Sequence, residues 1–388
     1  MKKSYLTIFL HQNIWDQGSL EALEVERFKE YSDVIAYELG YFINKNMVSA
    51  FKNKLNKRYI KRTKSFLEWK KHFLSLINNY DTKKILIINK VKPNNIWGLL
   101  VLIELSKLKI NIVEYQNSGV PKLFAQKTFF ERLTIIMSIF YLIRSIQSRF
   151  FNFLSKFIRY YNYSYLISGN PKYFSAKKKI IFGSSWDKTK TFNNNKKLNI
   201  NYKFAVYIES TVAHLGDQFI LGPNAARVDK YRWFENLNKF FDYFEKKYNL
   251  KVIIAAHPKV NHRKTRRFYN QRKVIQNKTK ELIFNAKCIF FERSTAINYI
   301  INYKKPAAMI YNENSISTSY NKKTHIGFSK LTGISNIDIE KYTDTDFKNL
   351  FKVKKNKYIK YYKEFINFKN LKIPNHKILK KKFLSNNI

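Results

Sequence analysis

The fold is decided by the stretch Val252-Ile-Ile-Ala-Ala-His-Pro258, whose short, wholly apolar run is typical of a strand buried on both faces of a parallel sheet. Proline cannot continue the hydrogen-bonded ladder, so the strand is predicted to deliver His257 at its carboxyl end. Ligands of open α/β sheets bind at that edge. We therefore expect His257 to lie at a ligand site.

A second stretch, Phe290-Phe-Glu-Arg-Ser-Thr-Ala296, repeats this organisation. The apolar residues Cys288–Phe291 predict another strand, and Ser294 and Thr295 precede a helix-like run over 296–303. Hydroxyl groups and unpaired backbone N–H groups at the start of a helix form an anion site. The two stretches together indicate a pocket for a ligand that carries phosphate.

Short apolar runs alternate with longer helical patterns along the rest of the chain, which is typical of βαβ units and predicts an α/β protein. The predicted strands are Tyr5–Leu10, Lys84–Asn89, Ile110–Tyr115, Tyr165–Ser168, Ile180–Gly183, Phe204–Ile208, Val252–Ala256, Cys288–Phe291 and Ala307–Ile310. The predicted helices include Trp97–Leu108, Lys230–Tyr248, two that begin near Thr279 and Thr295, and Tyr358–Phe368.

A chain of 388 residues is too long for one ordinary core, so its length predicts two domains. The polar segment Asp187–Asn201 has the composition of an interdomain linker. We place the boundary near Asn195, which gives Rossmann-like domains over residues 1–195 and 196–350. The basic residues 351–388 form a partly helical tail that could pack back on the first domain.

Composition narrows the class of protein. The single cysteine, Cys288, allows no disulfide framework, so a reducing compartment is expected. A formal net charge of +46 normally indicates nucleic acid, but the lysines are spread along the whole chain. The charge therefore indicates attraction to polyanions without selecting RNA, anionic lipid or a phosphorylated substrate. The longest apolar run, Leu133–Ile143, is about half the length that a bilayer requires.

Residues 130–161 combine helical apolar spacing with a basic face. The residues that form this pattern are Ile135, Ile136, Ile139, Phe140, Ile143, Phe150, Phe151, Phe153, Leu154, Phe157 and Ile158 on the apolar side, and Arg144, Arg149, Lys156 and Arg159 on the basic side. Such a helix suits the interface of a membrane. An ordinary helix that faces the core and leaves its charges in water has the same pattern, so both interpretations stay open.

Several catalytic motifs are absent from the sequence. It contains no P-loop, Gly-x-Gly-x-x-Gly, serine-hydrolase elbow or set of metal-ligand spacings. One carboxylate is singled out: Glu209, which ends the predicted strand Phe204–Ile208 and is followed by His214-Leu-Gly-Asp217 in a predicted loop. Glu209 is therefore expected at the same ligand-bearing edge as His257.

The order of these motifs resembles bacterial surface-polysaccharide glycosyltransferases of the GT-B type that use CMP-activated sialic-acid-like (nonulosonic) sugars. The resemblance covers roughly residues 180–310, and its matching segments are Glu209, His257-Pro258-Lys259, Thr279-Lys-Glu281-Leu282, Ser294-Thr-Ala-Ile297 and Lys305-Pro306. In the N-terminal half it is limited to the general layout and to Gly183-Ser-Ser-Trp-Asp187. It implies a GT-B fold, with two Rossmann-like domains that face each other across a cleft.

The resemblance also implies roles for individual residues. His257, Ser294 and Thr295 would hold the phosphate of CMP, and His257 could protonate the leaving oxygen. The other residues expected at the nucleotide are Pro258, Lys259, Ser185 and Asp187, with Lys259, Arg272 or Arg293 as sources of positive charge. The base that takes the acceptor's proton would be Glu209, Asp217 or Asp187. Inversion by direct displacement would need neither a metal nor a cofactor.

The expected function is thus an inverting glycosyltransferase with a CMP-linked donor and a glycan or glycolipid acceptor. It would be cytoplasmic and peripheral at the anionic inner face of the cell membrane, with no specific nucleic acid as a partner. One alternative is a GT-B transferase or epimerase that uses a UDP or GDP sugar. Others are a nucleic-acid-binding protein, with Lys352–Lys363 and Lys377–Lys382 as contact arms, and a membrane-surface scaffold without catalysis.

Overall fold

The computed structural model describes residues 5–45, 48, 55–115, 139–158, 164–170, 179–184, 198–210, 229–257, 265–292, 294–312 and 319–385. The chain divides into two units. The first comprises Met1–Ser118, Leu142–Phe192 and Asn367–Ile388, and the second comprises Gly119–Tyr141 and Asn193–Ile366.

Strands and helices alternate through both units. The described strands are β1 (Leu6–His11), β2 (Asp33–Glu38), β3 (Ile60–Arg62), β4 (Ile85–Lys90), β5 (Asn111–Tyr115), β6 (Ser164–Ser168), β7 (Lys179–Phe182), β8 (Phe204–Ile208), β9 (Lys251–Ala256), β10 (Val274–Gln276), β11 (Ile289–Phe291), β12 (Ala307–Tyr311) and β13 (Ser335–Asp338). The described α-helices are α1 (Gln17–Ala22), α2 (Val25–Phe28), α3 (Gly40–Ile43), α4 (Phe66–Ile77), α5 (Ile96–Lys107), α6 (Ile139–Leu154), α7 (Lys230–Tyr248), α8 (Thr279–Asn285), α9 (Ile297–Asn302), α10 (Ser319–Thr332), α11 (Asp344–Phe347), α12 (Lys355–Tyr361) and α13 (Asn375–Leu379). Short 3₁₀ turns lie at Thr82–Lys84, Ser155–Phe157 and Arg266–Tyr269, and π-helical turns at Tyr362–Ile366 and Lys380–Leu384.

Each unit is built on a parallel sheet. In the first unit the described strands lie in the order β3-β2-β1-β4-β5-β6-β7, and in the second in the order β10-β9-β8-β11-β12-β13. Every described strand pair is parallel. Apolar side chains cover both faces of each sheet, which explains why the central strands are almost wholly apolar. These are two Rossmann-like α/β units, as the sequence predicts.

All nine strands predicted from the sequence are confirmed to within one residue at each end, and Phe204–Ile208 and Lys230–Tyr248 have the predicted bounds. Four further strands, β2, β3, β10 and β13, escaped prediction. β3, β10 and β13 have only three or four residues and lie at sheet edges, where half-burial weakens the apolar signal. β2 has an apolar centre but carries Asp33 and Glu38 at its ends.

The C-terminal residues divide between the two units. Residues 351–366, predicted from the sequence as the start of a basic tail, belong to the second unit, where Tyr358, Tyr361 and Phe365 are buried in its core. Residues from Asn367 onward belong to the first unit. There His376 bonds to the buried Glu24 carboxylate through its backbone N–H and through Nδ1, both at 2.8 Å.

Candidate functional site

Three neighbouring strands of the second sheet end side by side at its carboxyl edge. β8 is followed by Glu209, β9 by His257 and β11 by Glu292. From β8 the chain adds β9 and β10 on one side of the sheet, and then β11, β12 and β13 on the other side. The strand order therefore reverses between β8 and β11, which pair with each other. Ligands of doubly wound sheets bind at the carboxyl edge at this kind of reversal.

Glu209 lies at this edge as predicted, but its side chain is only 2% exposed. It continues the alternation of β8, in which Ala205 and Tyr207 pack on the face covered by α7. One carboxylate oxygen accepts the backbone N–H of His257 at 2.8 Å, and the other accepts the Tyr269 hydroxyl at 2.5 Å. Glu209 therefore fixes the backbone where β9 ends. Its role as the base stays a prediction, and one that requires an oxygen accessible to an acceptor.

Glu292 is the second carboxylate of this edge and is 4% exposed. Its two oxygens accept the Tyr207 hydroxyl at 2.5 Å and the Ser210 hydroxyl at 2.7 Å. Burial raises the pKa of Glu292 to about 7, although the hydrogen bonds from Tyr207 and Ser210 act to lower it. The charge of Glu209 adds to the rise. Near neutral pH, Glu292 therefore exchanges between its acid and carboxylate forms.

Two buried tyrosines connect these carboxylates to the core. Burial raises the pKa of Tyr207 well above its ordinary value, and the neighbouring Glu292 raises it further. The pKa of Tyr269 is raised in the same way by burial and by Glu209. Both hydroxyls therefore stay protonated and donate to the acids. We call Tyr207, Glu209, Ser210, Tyr269 and Glu292 the edge cluster.

His257, Ser294 and Thr295 lie at the ends of β9 and β11, on either side of β8. The alternation of β9 assigns His257 to the face that carries Ile253 and Ala255, where α9 also packs, whereas Glu209 belongs to the opposite face. His257 and Ser294 are half-buried and Thr295 is exposed. The Ser294 hydroxyl accepts the backbone N–H of Ala296 at 3.2 Å, so it shapes the turn that leads into α9.

Arg272 is not a source of charge for this edge. Its guanidinium, which is almost wholly buried, pairs with the carboxylates of Asp242 and Glu245 on α7 and donates to Asn238 at 3.0 Å. It also lies over the ring of Phe241, with 5.3 Å between the guanidinium carbon and the ring centroid. The expectation that Arg272 supplies positive charge to the nucleotide is wrong, because the carboxylates of α7 hold its guanidinium in the interior. The sequence alone does not reveal this acidic side of α7.

The remaining predicted site residues lie outside the described part of the chain. They are Ser185, Asp187, Asp217, Pro258, Lys259 and Arg293. Of the 130–161 segment, only residues 139–158 are described. The roles predicted for these residues stay predictions.

Three residues of the edge cluster were not predicted from the sequence: Glu292, Ser210 and Tyr269. Glu292 was present in the quoted stretch, and its position directly after β11, next to the strand that ends at Glu209, was the available signal. Tyr269 lies in a short 3₁₀ turn, where no periodic pattern marks a buried side chain. Its pairing with Glu209 depends on how that turn packs over the sheet.

In the described part of the chain, no group of three or more His, Cys, Asp or Glu side chains is arranged to hold a metal ion. No helix in that part of the chain has the length and apolar character needed to cross a membrane.

No protein-family model matches the chain, and no curated protein matches it. Solved structures do match. The glycosyltransferase SnogD from Streptomyces nogalater has a TM-score of 0.50 and 8% identity, and the match covers 99% of this chain and 100% of that chain. S. aureus MnaA in its UDP co-structure has a TM-score of 0.49 and 11% identity, covering 100% and 98%. The UDP-GlcNAc 2-epimerase from Methanocaldococcus jannaschii has a TM-score of 0.48 and 12% identity, covering 98% and 100%.

At these identities the likeness concerns the fold alone, and the match to SnogD carries it. Together with the two parallel sheets, it confirms the fold class predicted from the sequence. The chain has the two-unit α/β architecture of GT-B proteins.

Proposed function

We propose that the protein is a GT-B glycosyltransferase that binds a nucleotide-activated sugar at the carboxyl edge of its second sheet. The observation that carries the proposal is the reversal of strand order at β8 and β11. It gathers Glu209, His257 and Glu292 at the one edge where doubly wound sheets bind ligands. The whole-chain match to a glycosyltransferase supports the fold that this function needs.

The phosphate of the donor is proposed to lie over the end of β8, between His257 and Ser294. Two strand spacings separate β9 from β11, or about 10 Å between backbones. The imidazole of His257 and the hydroxyls of Ser294 and Thr295 are long enough to reach toward a group held in that gap. Glu209 and Glu292 belong to the other face by strand alternation, so their charges need not meet the phosphate.

In the proposed reaction, an acceptor hydroxyl attacks the anomeric carbon of the donor sugar. The bond between that carbon and the phosphate oxygen breaks, and its electron pair stays on the nucleotide. Donors fixed on the phosphate oxygens stabilise the charge that develops there, and a protonated His257 could neutralise it. The acceptor's proton passes to a carboxylate, for which Asp217 and Asp187 remain the candidates beside Glu209.

We assign Glu209 a positioning role as well. By accepting the backbone N–H of His257 it holds the strand end that presents this residue, and Tyr269 holds Glu209 in turn. Glu209→Gln keeps the shape and one acceptor oxygen, so it should weaken nucleotide binding only mildly. If Glu209 were the base, the same variant would lose most of its turnover while its donor KM changed little.

The proposal also covers which nucleotide the donor sugar carries. CMP is the one that the sequence motifs imply, with a nonulosonic sugar attached. UDP and GDP sugars are the alternative, and an epimerase would also use them. The comparisons give CMP no support, since the names of the similar structures mention UDP or no nucleotide.

A thermal-shift panel with CMP, UDP and GDP tests the proposal. A ligand that binds only the native state raises the free energy of unfolding by about 3 kcal/mol when its concentration is about one hundred times its Kd. We expect one nucleotide to raise the melting temperature by several degrees and His257→Ala to abolish that rise. Lys251→Ala, at the opposite end of the same strand, is the matched control and should keep it.

Each outcome of the panel is informative. A response to CMP alone supports the nonulosonate donor, and a response to UDP or GDP alone replaces it with the alternative. No response to any nucleotide, or an equal response from the His257→Ala variant, contradicts the proposed site.

A peripheral position at an anionic membrane, where glycolipid acceptors lie, belongs to the proposal too.

A further inference from the structure

Helix α6 and the 3₁₀ turn after it expose a row of large apolar side chains. Ile143, Ile146, Phe150, Phe153 and Phe157 are between 53% and 74% exposed. Their spacing of three and four residues is the helical repeat, and the four that belong to α6 fall within an arc of about 80°. We call these five residues the apolar stripe.

The opposite side of the same segment faces the protein. Ser155 is buried, and Ser148 and Phe151 are half-buried. The Ser148 hydroxyl lies 3.5 Å from the side-chain oxygen of Asn94, and Ile158 packs against the core of the first unit. The segment thus turns a side rich in serine toward the protein and its most apolar side toward solvent. A core-facing helix would do the reverse.

Basic side chains flank the apolar stripe. Arg149 is exposed and lies about 40° beyond Phe153 on the helix surface, and Lys156, in the 3₁₀ turn after α6, is exposed as well. Residues 139–158 contain no Asp or Glu, in a chain whose formal net charge is +46. The surface that would cover the stripe must therefore accept apolar side chains and also carry negative charge beside them.

We infer that the apolar stripe docks on an anionic lipid bilayer, with α6 lying parallel to the membrane plane. Phenylalanine and isoleucine enter the boundary between headgroups and acyl chains, while Arg149 and Lys156 contact the lipid phosphates. A continuous row of five exposed apolar side chains is unusual for a surface that meets only water. The inference rests on the membrane position in the proposed function and gives that position a contact surface. Its test needs no substrate or nucleotide, so its failure would leave the proposed nucleotide site untouched.

Co-sedimentation of the full chain with lipid vesicles tests the inference. The vesicles contain equal parts of phosphatidylglycerol and phosphatidylcholine, at an ionic strength of about 0.15 M, where bulk attraction between distant charges is screened. The stripe variant carries Phe150→Ser, Phe153→Ser and Phe157→Ser. The control variant carries Leu67→Ser, Ile359→Ser and Ile373→Ser, which also removes three exposed apolar side chains and leaves the charge unchanged.

We expect the stripe variant to bind at least about tenfold more weakly than the wild type, and the control to bind within about twofold of it. A further variant, Arg149→Gln with Lys156→Gln, should bind several-fold more weakly to these vesicles. All replaced side chains are exposed, so unchanged melting temperatures verify that the variants fold.

Three results would overturn the inference. The first is no binding of the wild type to the vesicles, and the second is equal loss in the stripe and control variants. The third is unchanged vesicle binding by the stripe variant, with a fall from dimer to monomer in analytical ultracentrifugation. That last result would assign the apolar stripe to contact between two copies of the chain.

Discussion

Replacement of Glu292 by glutamine removes a buried group that becomes negatively charged as the pH rises and puts a neutral group in its place. The side chain keeps its size, and its oxygen can still accept the Tyr207 hydroxyl. In the wild type, burial raises the pKa of Glu292 to about 7 from an ordinary value of 4.5. The folded state therefore holds a proton that the unfolded state has released, so this group's contribution to stability is lost as the pH rises from 4.5 through 7.

The size of the effect follows from that pKa. One pKa unit corresponds to about 1.4 kcal/mol, so the full change is on the order of 3 kcal/mol. About 2 kcal/mol of it falls between pH 5.5 and pH 8.5, with most of the remainder at lower pH. Glutamine carries no charge at any pH. The difference in unfolding free energy between Glu292→Gln and the wild type should thus move in favour of the variant by about 2 kcal/mol over that range.

Thermal unfolding measured at both pH values checks this result. For a unit of this size, about 2 kcal/mol corresponds to roughly 4–8 °C in melting temperature. Glu235→Gln is the control, because Glu235 is exposed and its ion pair with Lys239 lies on the surface of α7. Parallel pH curves for the wild type and Glu292→Gln would refute the reasoning, as would a variant that becomes relatively less stable at pH 8.5.

Three further substitutions have defined outcomes. Arg272→Leu leaves the carboxylates of Asp242 and Glu245 without their buried partner, so it should lower the free energy of unfolding by about 2–4 kcal/mol in urea denaturation. A loss below about 0.5 kcal/mol would contradict a stabilising role for this ion pair. His376→Ala removes the imidazole that pairs with the buried Glu24 carboxylate at 2.8 Å and leaves it only the longer bond from the Tyr115 hydroxyl among the described side chains. It should destabilise the first unit by a similar amount, about 2–4 kcal/mol, measured by limited proteolysis, whereas Lys377→Ala at the exposed neighbour should not. Gly333→Ala forces a side chain into a backbone with φ of 72° and should cost about 1 kcal/mol in the same denaturation assay; a more stable variant would speak against the left-handed turn.

The central strands were predictable because their physics is local. Runs such as Phe204–Ile208 and Val252–Ala256 are buried on both faces, so they are apolar at every position, and polar or proline residues mark their ends. The same logic placed Glu209 and His257 at the carboxyl edge. It could not tell which face each side chain occupies relative to α7.

The interior of the site depends on contacts between distant parts of the chain. Tyr269 reaches Glu209 across 60 residues, and Tyr207 reaches Glu292 across 85. Such pairs leave no periodic signal, so sequence patterns gave the edge but not the buried hydrogen bonds beneath it. The orientation of α6 was similarly invisible, since the same residues form an amphipathic pattern whichever side they turn to the protein.

Hydrogen–deuterium exchange with saturating CMP or UDP tests the central claim most directly. The claim is that a nucleotide sugar binds where β8, β9 and β11 end. We predict slower exchange with one of the two nucleotides in peptides that contain Ser210, His257 and Ser294, and unchanged exchange at the amino ends of the same strands. Protection confined to other parts of the chain, or none with either nucleotide or with GDP, would contradict the claim.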